Sequence, residues 1–465
     1  MRFRRLAGVV ALVALALPAA TVHAAQRMPI GFFDDPSFRW SPQRAQNLAA
    51  AAAAGATVIH TTASWALIAP TRPANPSNAA DPAYRLGDLD ELVRESARYG
   101  LRVMIDVTGT PKWANGNQTQ NHMPKRLADF GTFVKMLALR YDGRNAGKGE
   151  VSLWSVWNEP NLQQFLTPQY SGTKIVSPAN YAKLYKVAYA AIKSANPLAK
   201  VAIGETSAQG RDKPSKGSSQ TVSPGTFAKL LSKVKGLHFD AWAHHPYPTS
   251  RTARPLEKVR YPNVTLSELP TFEKSLAAEF HRAVPIWITE YGYETKPAQP
   301  KGITYAQQSA YAKQALTVAR NDPNVQMFCW FTFRDNAGNP WKSGIQSQSG
   351  SPKPAFGAFA SLARSIDGST VTVKGGRPAG PISIFVPYLT FYDPVGSLVG
   401  ITYHVRDNTG KLVTSGEPRA NLAPDGSVTF VPTFTPVKGK TYTLMATVND
   451  VNGNLQTRMA TIIAA

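Results

Sequence analysis

Residues 88–107 read DLDELVRESARYGLRVMIDV. Thirteen residues of helical apolar spacing run directly into a seven-residue apolar segment of strand type. A helix feeding a buried strand is part of a β/α unit, and the same alternation recurs along the chain. Strand candidates are MPIGFF (28–33), TVIHTT (57–62), LRVMIDV (101–107), VSLWSVW (151–157), KVAIGE (200–205), HFDAWAH (238–244), PIWITE (285–290) and VQMFCWF (325–331). Helical periodicity lies between them at 88–100, 126–141, 180–196, 226–235 and 304–320. Eight such units in about 340 residues predict an α/β fold, a closed (β/α)8 barrel over 28–368. An open doubly wound sheet is disfavoured, because no Gly-rich fingerprint follows the first strand.

Beyond the barrel the texture changes. GGRPAGP (375–381) reads as a Gly/Pro linker, placed at 369–381. Over 382–465, alternating runs such as LVGITYHV and TYTLMATV are separated by the turn signals DNTG, PDG and NDVNGN. This predicts a small all-β sandwich of immunoglobulin or fibronectin type. No aromatic cluster there marks a sugar platform, so spacer and carbohydrate-binding roles stay open.

At the other end, MRFRRLAG, an apolar run and VHA before AQR form a secretory signal peptide expected over 1–24. No second apolar run of that length occurs, so no transmembrane segment is expected in the mature chain. The lone cysteine, Cys329, sits in the apolar run MFCWF, so no internal disulfide is expected and size must supply stability. Formal charge is +22, and loss of Arg2, Arg4 and Arg5 with the leader leaves +19. Such a field favours anionic or cell-wall-associated glycans. The basic residues are dispersed and no nucleic-acid motif appears, which argues against nucleic acid as partner.

Barrel chemistry sits at the C-terminal strand ends. Three acids end strands: Glu159 in WSVWNEPN, Glu205 in GETSAQG and Glu290 in WITEYGYET. Glu159 and Glu290 share an aromatic setting that Glu205 lacks, so Glu205 is expected to be a mouth-lining or hydrogen-bonded residue. Two carboxyls facing across the mouth suit glycoside hydrolysis, with a gap of roughly 5 to 5.5 Å for the retaining mechanism. An apolar wall would raise the acid's pKa while the nucleophile stays ionised.

With WNEPN ending strand four and ITEYG ending strand seven, the sequence resembles the clan A retaining glycoside hydrolases. The flanking text SWALIAP (64–70), TPKWANG (110–116), HHPYP (244–248) and WFTFRD (330–335) is most similar to glycoside hydrolase family 39 and its bacterial exopolysaccharide-cleaving relatives, with family 5 cellulase-like enzymes next. The resemblance implies Glu159 as acid/base and Glu290 as nucleophile. Asn158 would bond the hydroxyl beside the anomeric carbon, His245 would line the subsite, and Tyr247 would orient the nucleophile. Trp113, Trp330 and Trp65 are candidate stacking platforms, while Trp154 and Trp157 are expected to pack the barrel and His244 to be structural. The substrate would be a polysaccharide or oligosaccharide, with no metal or organic cofactor. His60, His244, His245 and Asp106 could converge on a metal in a barrel of amidohydrolase type, but such barrels need HxH after strand one, where this chain has GFFDDP. A non-catalytic glycan-binding barrel has no use for an opposed pair of glutamates. Transglycosylation would use the same two residues.

Overall fold

The computed structural model describes residues 28–145, 148–215, 220–366, 370–378, 385–392, 398–417, 427–430, 434, 436–437, 439–450 and 455–463. The expected signal peptide lies outside these residues.

Eight parallel strands close into a barrel in sequential order: β1 (Ile30–Phe33), β2 (Val58–Ser64), β3 (Arg102–Thr108), β4 (Leu153–Val156), β5 (Lys200–Ser207), β6 (Ala241–His245), β7 (Ile286–Tyr291) and β8 (Val325–Trp330). Each falls within two or three residues of an expected segment. The five expected helices form at Gly87–Arg98, Leu127–Arg140, Ser177–Ala195, Pro224–Ser232 and Tyr305–Asn321.

Local chemistry explains the elements. In the helix Gly87–Arg98, Leu89, Leu92, Val93 and Ser96 are buried, which gives one face to the barrel. Asp88 and Asp90 lie in its first turn and Arg98 in its last, each matching the helix dipole. Thr304 and Gln307 cap the helix Tyr305–Asn321 reciprocally.

Inside the barrel, Val58, Met104, Leu153, Ala202, Ala241, Ala243, Trp287, Met327 and Cys329 form one apolar cluster. A larger core fills the space between strands and helices. Closure brings β1 against β2 so tightly that a Cβ on Gly31 would sit 1.7 Å from the Val58 carbonyl oxygen. The buried Asp34 carboxylate, just past β1, accepts from the backbone N–H groups of Phe333 and Arg334 beyond β8, at 3.0 and 2.9 Å. A single side chain thus joins the ends of the first and last strands.

Among the described residues after the barrel, seven strands form two antiparallel sheets. One holds β9 (Thr370–Pro378), β10 (Phe385–Tyr392) and β13 (Ser427–Phe430); the other holds β11 (Leu398–Asp407), β12 (Leu412–Gly416), β14 (Thr441–Asp450) and β15 (Leu455–Ile463). Strand β9 occupies most of the segment expected to be a linker. Its Gly375–Gly376 pair falls where the β9–β10 register shifts, between Lys374 and Arg377, and its Pro378 lies on a sheet edge. A bulge and an edge are the two settings in which a strand tolerates those residues.

Candidate active site

The C-terminal strand ends gather a buried polar cluster over the apolar barrel interior. Asp106 comes from β3, Ser155 from β4, Glu205 from β5, His245 from β6, and Thr289 and Glu290 from β7. Glu159 follows β4 at the mouth.

Backbone geometry aims two of these acids. Trp157 and Glu159 take left-handed φ values of 69° and 38°, so the chain turns sharply as it leaves β4. In β5 the pairing with β6 slips between Gly204 and Thr206, which leaves Glu205 as the extra residue of a bulge, with φ 45°. Bulges beside active sites re-aim a side chain, and this one turns Glu205 into the barrel.

His245 is the hub. Its Nδ1 lies 3.0 Å from Glu159 Oε1 and 3.8 Å from Glu290 Oε2, and its Nε2 lies 2.8 Å from Glu205 Oε2. The two oxygens facing Nδ1 can therefore be separated by no more than the sum of their distances, about 6.8 Å. Tyr247 donates its hydroxyl to Glu290 Oε2 at 3.0 Å. Thr289 donates to Glu205 Oε2 at 2.6 Å.

Burial and neighbouring charge set the protonation states. Burial pushes Glu290 up to about 7 and the adjacent Glu159 adds to that, while His245 and the Tyr247 bond oppose it. Burial disfavours the His245 cation, yet Glu290, Glu159 and Glu205 outweigh it and hold the imidazole well above its ordinary range. Burial would also raise Glu205, but its bond to His245 prevails and lowers it. Asp106 is raised well above the usual carboxylate range, first by burial and then by the Glu205 charge. The cluster thus holds a Glu205–His245 ion pair beneath a Glu290 that keeps its proton up to about pH 7. This is the reverse of the expectation that the nucleophile stays ionised, because burial outweighs the His245 charge and the Tyr247 bond.

The expected residues divide. Glu159, Glu290, His245 and Tyr247 converge, and Asn158 is half-buried beside Glu159. His245 is fully buried, so it lies behind the carboxylates instead of lining a sugar subsite. The three tryptophans are not free platforms. Trp65 is buried against Phe130, Phe133 and Trp113. Trp330 is buried too, with its Nε1 bonded to the Ser343 carbonyl and Tyr291 against its ring. Trp113 is half-buried, with its Nε1 tied to the Ala69 carbonyl and the Arg72 guanidinium over its ring at 4.6 Å. Trp154 and Trp157 pack in the core with their indole N–H groups on the Val151 and Phe165 carbonyls. His244 is buried between Thr206 and the Val264 carbonyl.

Sequence reasoning missed Trp341. It is 41 % exposed on the loop after β8, and its ring lies 5.5 Å from that of Tyr247. Its only signal was its position in NAGNPWKSG, a polar loop that follows a strand end. A groove of about 620 Å³ runs between the loops after β2, β3 and β4, with Gln118, Gln120, Asn121 and Gln164 among its walls.

One family's sequence model, described as Cellulase (glycosyl hydrolase family 5), matches residues 24–333, two thirds of the chain. No curated protein sequence matches. Among solved structures, a family 39 glycoside hydrolase from Bacteroides cellulosilyticus WH2 is similar, with 18 % identity over 88 % of this chain and 80 % of that one, at a TM-score of 0.53. A GH5_18 protein from Streptomyces cattleya in complex with GlcNAc shares 14 % identity over 73 % of this chain and 80 % of that one, at 0.53. Xylanase 10B from Thermotoga maritima shares 15 % over 73 % and 96 %, at 0.50. At these identities the structural matches speak to the barrel alone.

Proposed function

The chain belongs to the cellulase family, glycosyl hydrolase family 5, and from that premise we propose that it is a secreted or envelope-associated retaining glycosidase acting on a polysaccharide or oligosaccharide. The observation that carries the reading is the pairing of Glu159 and Glu290 around one histidine nitrogen. Their bound of about 6.8 Å accommodates the roughly 5 to 5.5 Å of retaining enzymes and leaves out most of the wider range of inverting ones.

In this reading Tyr247 holds Glu290 Oε2 and leaves Oε1 to attack the anomeric carbon. Glu159 protonates the departing oxygen. It then takes a proton from the water that releases the glycosyl-enzyme. The step needs an ionised Glu290 and a proton placed on Glu159 as the bond breaks. Positive charge developing on the sugar next to Glu290 favours that placement, because it stabilises the ionised Glu290. Asn158, half-buried beside Glu159, would bond the neighbouring hydroxyl.

The leader-like N-terminus supports export, and the +19 charge of the processed chain favours an anionic or wall-associated glycan. The groove with its amide side chains supports a chain of several sugars over a single one.

A glycan panel with product analysis tests the function: hydrolysis of at least one polysaccharide or aryl glycoside is expected, and inactivity towards all of them would favour a binding protein. On the responsive substrate, Trp341→Ala is expected to raise KM about tenfold with a smaller change in kcat, as loss of a stacking face does. An unchanged KM would remove Trp341 from the site.

A further inference from the structure

We propose that Glu205 is a positioning residue: through the two nitrogens of His245 it sets the proton affinity of the glutamate pair without touching substrate. The inference rests on the reading of Glu159 and Glu290 given above.

The geometry is a chain of contacts from the barrel interior to its mouth. Glu205 is 1 % exposed and stands on the β5 bulge. Its Oε2 takes two donors, the Thr289 hydroxyl at 2.6 Å and His245 Nε2 at 2.8 Å. An ionised carboxylate only accepts, so Nε2 must carry a proton. The other nitrogen, Nδ1, then bears the labile one, and it faces Glu159 at 3.0 Å and Glu290 at 3.8 Å. Fixing one ring nitrogen of a histidine to define the role of the other is a common use of a buried carboxylate.

Charge completes the argument. His245 is faced by Glu205, Glu159 and Glu290, with Asp106 acting on it from β3. The neighbouring histidines are not cations at neutral pH, since burial pushes His60 down to about 4 and His244 down to about 3. The Glu205 charge therefore balances His245 from below, and it also raises Glu290 directly. Without it, the uncompensated cation, 3.0 Å from Glu159 and 3.8 Å from Glu290, would favour the ionised form of both carboxylates. At neutral pH Glu159 would more often lack the proton that the leaving group needs.

Glu205→Gln keeps the acceptor oxygen and removes the charge. Its expected effect is an alkaline limb of the kcat/KM profile about one pH unit lower than the parent's. At pH 7, kcat/KM should fall about five- to tenfold for a glycoside with a poor leaving group, but by less than about twofold for an activated aryl glycoside, which needs little protonation. Thr289→Val serves as the control, since it removes the second donor to the same oxygen while keeping the charge, and its limb should stay in place. If Glu205→Gln does not fold, Glu205→Asp withdraws the carboxylate from Nε2 by one methylene and should move the limb in the same direction by less. An unmoved limb in the variant that folds, or equal losses on both substrates, would overturn the proposal. A parent inactive on every glycoside would instead overturn the function on which it rests.

Discussion

Glu290→Ala should lower kcat about 10⁴- to 10⁶-fold, the scale of losing a covalent nucleophile. Glu159→Ala should cost about 10²- to 10⁴-fold on substrates with poor leaving groups and much less on activated aryl glycosides. The two losses differ in kind, and azide separates them. In the Glu159→Ala enzyme, azide should replace water in the second displacement and yield a glycosyl azide of retained configuration. In the Glu290→Ala enzyme, azide should attack from the vacated nucleophile side and yield the inverted one. If either variant cleaves a responsive glycan as fast as the parent, or if the two azide products exchange places, the assigned roles are wrong. The His245 bond to Glu159 and the Tyr247 bond to Glu290 set the expectation, because each carboxylate is held by a different partner.

The second large effect concerns stability. Glu290 is pushed from the ordinary glutamate value of 4.5 up to about 7, first by burial. A carboxyl whose folded pKa lies above its unfolded value binds its proton more tightly when folded. Its contribution is therefore fully present below about pH 4.5 and is lost as pH rises through about 7. A tenfold change in proton affinity is worth about 1.4 kcal/mol, so the whole loss approaches about 3 kcal/mol. Glu290→Gln removes the ionisation and keeps the volume. Urea unfolding should find the variant more stable than the parent at pH 8, by up to about 3 kcal/mol, with the difference shrinking towards pH 4. A difference independent of pH would mean that Glu290 is not the group responsible. A nucleophile attacks only when ionised, so the same ionisation should appear in catalysis as a rise of kcat/KM towards about pH 7.

The barrel was legible because its strands are apolar runs followed by helices with one apolar face, and both periods survive in the text. Not every helix was. Arg44–Ala53, whose sequence RAQNLAAAAA offers little contrast between faces, and Leu269–Phe280 went unassigned. Glu159 and Glu290 could be found because strand ends and aromatic frames are sequence features. The stacking residues could not, since a tryptophan within or beside a strand reads the same whether it is buried, like Trp330, or exposed on a loop, like Trp341. Glu205 was placed as a hydrogen-bonded residue, but its link to His245 depends on a bulge that no local pattern announces. The Gly/Pro segment after the barrel misled because composition carries no information on strand pairing. The clan resemblance agrees with the family 5 match, the family that the flanking text placed second to family 39.

The central claim is double displacement by Glu159 and Glu290. The most direct test is to follow the first-formed product by proton NMR on the glycan that the panel identifies, before the anomers equilibrate. The account predicts that the released sugar first appears with the anomeric configuration of the bond that was cleaved. First appearance of the opposite anomer would contradict it, because a single displacement by water inverts that centre.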